Sequence, residues 1–135
     1  QYSGVDRDML LAGVILHDVG KLRELAYTTR IDYTDQGRLL SHIVIGLSML
    51  DEKLNQVPDF PGIKADLLKH MLVSHHGERV FGSPEPPKTI EAVLLNYVDE
   101  MDSRVNSIRE YVAKDTAEGN WTAYHRLLER HFYKR

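Results

Sequence analysis

MLLAGVILHDVGK, residues 9–21, reads as the end of an apolar helix that runs into an imidazole, a carboxylate and an ammonium within about one turn. The helix is expected over residues 3–19, with Ser3 as its cap, Asp6 and Asp8 near its positive end, and Gly20 as its stop. His17 and Lys21 suit a helix C-terminus, where the dipole is negative. Asp18 does not: a carboxylate there is unfavourable unless a cation compensates it, and a bound metal would be such a cation. The pattern downstream is also helical. Leu39, Leu40, Ile43, Val44, Leu47 and Leu50 predict a mostly buried helix over residues 36–56, capped by Asp35 and stopped by Pro58 and Pro61. Ile63, Leu67, Leu68, Met71 and Leu72 predict another over 62–76, ending at Gly77. A long stripe from Ile90 to Val112 predicts a helix over 89–115, and a last one is expected over 121–132. Residues 22–35 read as a loop with at most a short helical turn, and the Pro-rich stretch 77–88 as a surface loop able to roof a site. With no alternating strand pattern and no internal repeat, the class is all-α.

Composition sets the limits. The chain has 135 residues, 42% of them apolar, which suffices for one domain with a core, and no composition break divides it. A formal net charge of -3 gives no overall attraction to polyanions, so any nucleic-acid contact must be local. The absence of cysteine excludes disulfides, thiolate zinc sites and cysteine nucleophiles, and fits a reducing cytoplasm. No apolar run is long enough to span a membrane, and the first twenty residues lack a signal-type pattern, so a soluble protein is expected.

Imidazoles and acids recur at the ends or middles of the apolar segments. His42 interrupts an apolar helix, with Gly46 one turn on to admit a neighbouring element. His75 and His76 sit in a final helical turn about 100° apart, where they could serve two metals or a metal and a phosphate. His70, His125 and His131 have no acidic or histidine company and are expected at the surface. Asp99 and Asp102 share a helix face; the apolar periodicity favours Asp102 but leaves open which acid reaches inward. Imidazole and carboxylate donors together suit manganese, iron, cobalt, nickel or zinc more than calcium.

In order, LLAGVILHDVGKLREL, YTDQGRLLSHIVIG, LVSHHGE, NYVDEMDSRVN and the closing WTAYHRLLERHFYK resemble the HD-domain metal-dependent phosphohydrolases. More narrowly, they are similar to the HD half of the YhaM-type bacterial 3'-5' exoribonucleases. The resemblance spans nearly the whole chain. It implies an HD-like bundle of about five to six helices and one or two divalent metals, manganese foremost, with Fe, Co, Ni, Zn or Mg as alternatives. The metal ligands it implies are His17, Asp18 and Asp99, with His42, His75 and His76 extending the site toward a second metal; Asp99 is thereby preferred to Asp102. Asp18, Lys21 and His76 become the catalytic candidates, Lys21 against substrate phosphate or the attacking water, with His75 or His76 as proton donor to the leaving group where its ring is not wholly occupied as a ligand. HD domains usually draw another histidine from a helix upstream, and nothing before His17 is a histidine. Since the chain starts at Gln1, the expectation is a single HD domain over 1–135 lacking that helix and any N-terminal OB-fold module.

The expected partner is a phosphate-containing substrate, with single-stranded RNA as one candidate, no membrane and an open oligomeric state. Lys21 and Arg104 are substrate-binding candidates, as are Arg126 and Arg130 in the tail, where Lys134 and Arg135 add charge and Trp121, Tyr124, Phe132 and Tyr133 are interleaved. A docked terminal helix would give the same pattern. Two other functions fit the residues: hydrolysis of a nucleoside monophosphate or cyclic nucleotide, and a non-catalytic module that binds metal or nucleotide.

Overall fold

A computed structural model describes residues 2–134. In chain order the elements are α1 (Arg7–Leu16), α2 (Lys21–Glu24), β1 (Leu25–Tyr27), β2 (Ile31–Tyr33), α3 (Asp35–Leu54), α4 (Gly62–Ser74) and α5 (Ile90–Lys114). The fold is mostly helical. Two compact units divide it, one up to Val98 and the other from Asp99 onward. Among the described residues, no helix is long and apolar enough to cross a membrane.

In the first unit, Leu50 of α3 meets Leu68 and Leu72 of α4, with Met9, Ala12 and Leu16 of α1 packed on them. Met71, on the other flank of α4, meets Ala92 and Leu95. α4 is thus the central element, because its apolar residues point two ways. The caps differ from expectation by a residue or more. Asp6, not Ser3, starts α1, its Oδ1 accepting the Asp8 and Met9 N–H groups, and Thr34, not Asp35, starts α3, its Oγ1 accepting from Gly37.

Three expectations are corrected here. Residues 22–35 contain α2 and a short antiparallel hairpin pairing Leu25 with Tyr33 and Tyr27 with Ile31, where a loop was predicted. The helix over 36–56 is broken at Ser41 (φ 59°, ψ 161°), and Leu39, in the segment before the break, is 81% exposed. That backbone region is nearly closed to residues with a Cβ and costs about 1–3 kcal/mol, so surrounding contacts must enforce it.

The predicted helix over 121–132 is absent. Trp121 pairs with Tyr133 and His125 with Arg130 across an antiparallel hairpin, with Glu129 at positive φ in its turn. The helical reading failed because aromatic and β-branched residues fit a pleated strand better than a terminal helix. Of the tail residues singled out above, Arg135 lies outside the described set.

Asp115 staples this second unit. Its carboxylate accepts from the Ala117 and Ala123 N–H groups and from Lys134 Nζ, which also donates to the Ala117 carbonyl. Those donors, Lys134 first, hold the Asp115 carboxyl below its ordinary value of 3.8. A carboxyl depressed in the folded state stabilises the fold above its unfolded pKa and loses that contribution as the pH falls below it. Acidification below about pH 4 should therefore loosen the hairpin, read from Trp121, the single tryptophan of the chain. Asp115→Asn should flatten that pH response; an unaltered response would remove Asp115 as its source.

Candidate metal centre

α1 and α4 each end in a histidine: His17 is the C-cap of the first and His75 of the second, with ring centroids 5.1 Å apart. Two negative helix ends meet there, and neither carries a Lys or Arg in its last turn. Such a place favours a cation. Asp18 lies in the turn between α1 and α2, and His42 begins the second half of α3 just after the break at Ser41. Gly20 lets these segments touch, since a Cβ on it would stand 1.9 Å from the His42 carbonyl oxygen.

Hydrogen bonds fix which ring nitrogens face inward. His75 is 1% exposed, and its Nδ1 lies 2.7 Å from the Leu72 carbonyl, which can only accept. Nδ1 therefore carries the proton, and burial pushes the imidazole pKa down to about 4, leaving a neutral ring with its lone pair on Nε2. His17 Nδ1 likewise donates to the Val14 carbonyl at 2.9 Å. His42 Nδ1 is 3.3 Å from Glu24 Oε1, again an acceptor, so the tautomer with its proton on Nδ1 presents Nε2 to the centre.

The two lone-pair nitrogens of His42 and His75 stand 3.4 Å apart. Asp18 Oδ1 faces them at 3.6 and 3.8 Å, buried and with no hydrogen-bond partner. Burial would raise the Asp18 carboxyl, but the His17 imidazole and the Lys21 ammonium, 2.6 Å from Oδ2, outweigh it and hold the group well below the usual carboxylate range. Three electron-rich atoms thus converge with no hydrogen between them. Ring nitrogens of His42, His75 and His76 all lie within 4.8 Å of one another. The nitrogen and oxygen donors fit a divalent cation, which would satisfy the orphaned oxygen and both lone pairs at once.

Glu24 is a residue that sequence reasoning missed. It is 6% exposed, and its Oε1 accepts both the His42 backbone N–H, at 2.8 Å, and the His42 ring. It thereby caps the restarted half of α3 and compensates the strained Ser41. Its backbone oxygen accepts from Thr34, and at 2.2 Å from a Cβ built on Gly37 it leaves room there only for glycine. In the sequence Glu24 follows Lys21 and Arg23 and reads as one more charge of a solvated turn.

Each of the other candidates has its own surroundings. Asp99 is half-buried and belongs to the second unit, as does Asp102, which is exposed and accepts from Asn106. Arg104 is exposed and paired with Glu100, and Arg126 and Arg130 are exposed on the C-terminal hairpin. His70 is half-buried rather than at the surface, accepting the Lys88 N–H, because the Pro-rich loop folds back over it. His125 packs on Tyr111, and His131 is exposed and bonded to the Thr122 carbonyl.

The chain is 38% identical over 98% of its length to a Bacillus subtilis (strain 168) protein named 3'-5' exoribonuclease YhaM, covering 42% of that protein. A Geobacillus sp. (strain WCH70) protein of the same name is 40% identical, with 98% of this chain and 41% of its own length covered. The chain thus spans about two-fifths of these curated relatives. No solved structure matches it. Residues 1–104 match the HD domain profile, with the histidine–aspartate pair at 17 and 18 inside the match, and on that ground the chain belongs to the HD domain family.

Proposed function

We propose that this domain hydrolyses phosphodiester bonds of single-stranded RNA stepwise from the 3' end, as a metal-dependent phosphohydrolase with His17, Asp18, His42, His75, His76 and Asp99 as its ligand set. The observation that carries the metal reading is Asp18 Oδ1, ionised, buried and unpartnered against two imidazole lone pairs. The place of Asp99 in the set rests on the family resemblance alone. Manganese is the proposed ion, one or two per site, on donor chemistry that iron, cobalt, nickel and zinc share. RNA as substrate is supported by the names of the relatives.

When bound, a divalent cation at these residues would supply an acidified water and neutralise phosphoryl charge. The chain's own residues do the rest. Asp18 stays ionised at neutral pH and keeps Oδ1 aimed at the centre while Oδ2 anchors Lys21. Lys21, only partly covered, turns its ammonium to a non-bridging phosphate oxygen. His76, half-buried beside Gly82, gives a proton to the departing ester oxygen when a single metal leaves its ring unligated.

The test is incubation of the purified protein with manganese and, separately, single-stranded RNA, a nucleoside monophosphate and a chromogenic phosphodiester. Stepwise shortening of RNA that stops on chelation is the expected result. Phosphate release from the monophosphate alone would replace this reading with a nucleotidase. Inactivity of metal-loaded protein on all three would leave a binding module.

A further inference from the structure

The C-terminal hairpin presents rings to solvent that its own packing does not use. Trp121 and Tyr133 are cross-strand partners, ring centroids 5.3 Å apart, and are 58% and 57% exposed. Their neighbours Thr122 and Phe132 take the opposite face: Thr122 is buried and Phe132 packs on Tyr111 and His125. The inner face is therefore satisfied, and the outer rings are not needed to hold the hairpin on its helix. Next along the hairpin stands a second exposed pair, Tyr124 edge-on to His131 at 5.3 Å. Toward the turn are Arg126 and Arg130, both exposed and, among the described residues, without an ion pair, although Glu129 adjoins Arg130 in sequence; Arg130 Nε–H donates to the Leu128 carbonyl, its guanidinium charge being unpaired. Lys134, by contrast, is tied to Asp115.

Exposed rings in pairs, with two unneutralised guanidinium groups beside them, match what unstacked bases on a phosphate backbone require: flat faces for the bases and point charges for the phosphates. A duplex would not reach the rings, because its bases are already stacked. We infer that this hairpin is a binding platform for single-stranded RNA, with bases stacking on the Trp121–Tyr133 and Tyr124–His131 pairs and phosphates held by Arg126 and Arg130. The inference rests on the reading of the substrate as RNA, and assigns part of its recognition to a surface outside the metal-binding histidines.

Trp121, the chain's single tryptophan, is the reporter. In chelator, where no RNA is consumed, titration with a short oligoadenylate should quench its emission saturably, with weaker binding as salt rises. Tyr124→Leu/Tyr133→Leu should raise Kd about tenfold or more and leave the salt slope unchanged. Arg126→Glu/Arg130→Glu should raise Kd and lower the slope of log Kd against log salt by about 1.4 or more, two phosphate contacts on a single strand, with unchanged free-state Trp121 emission showing that the hairpin survives loss of the Arg130 Nε–H bond to the Leu128 carbonyl. Emission unmoved by saturating oligoadenylate, or the same quenching by inorganic polyphosphate, would overturn the stacking. A blue shift that grows with protein concentration and blocks oligonucleotide binding would give the face to a second copy, and overturn it too. RNA trimming is measured separately, in manganese. Trimming with a silent Trp121 discards the platform and keeps the exoribonuclease, whereas a quenched Trp121 without trimming does the reverse.

Discussion

Asp18→Asn is expected to abolish metal-stimulated turnover and weaken manganese binding by more than ~100-fold, the upper end of what even an outer-shell change costs a metal site. In the same variant, the metal-free protein should be at least as stable as the parent. The reason is the environment of Oδ1. In the parent it is a buried acceptor facing two more acceptors, and an unsatisfied buried polar group costs about 1–3 kcal/mol. An asparagine amide set in its place can donate to His42 or His75 Nε2 and relieve that cost. The change gives up the partly exposed pair with Lys21, worth about 0–1 kcal/mol. Urea unfolding in chelator and in excess manganese separates the effects. Saturation at 100 times Kd stabilises a folded protein by about 2.7 kcal/mol, and that increment should vanish in the variant. A variant less stable without metal but equally stabilised by it would show Asp18 to be a structural acid, and the centre would have to be placed elsewhere.

Glu24→Gln should lower metal affinity by about 10–100-fold with little loss of stability, and Glu24→Ala should lower both. Glutamine keeps an oxygen for the His42 backbone N–H, so the restart of α3 survives. It loses the negative charge that holds the proton on His42 Nδ1 and keeps Nε2 free. Alanine also strands the buried His42 N–H, at a cost of about 1–3 kcal/mol. Glu24 is therefore a positioning residue, and manganese titration of both folded variants is the measurement that decides. Unchanged affinity in Glu24→Gln would reduce its role to capping the broken helix.

The sequence by itself determined the elements whose signals are local. The apolar spacing along α4 and α5, the proline stops after α3 and the imidazole–carboxylate pair at the end of α1 all depend on neighbours within a turn or two, so they could be read without coordinates. The last segment misled because its charged and apolar residues repeat at a spacing a helix also allows. What makes it a hairpin is non-local: Thr122 bonds to Phe132, and Asp115 gathers Ala117, Ala123 and Lys134 from up to 19 residues away.

Only the tertiary structure decided how the centre is arranged. That Asp18 Oδ1 is left unpartnered depends on where α3 and α4 deliver His42 and His75, positions 24 and 57 residues further on in the chain. The break at Ser41 and the burial of Glu24 are two halves of one contact, made between segments 18 residues apart. Neither half has a local signal. Composition records that an acid is present, but whether its charge meets water or a buried N–H is set by the packing around it.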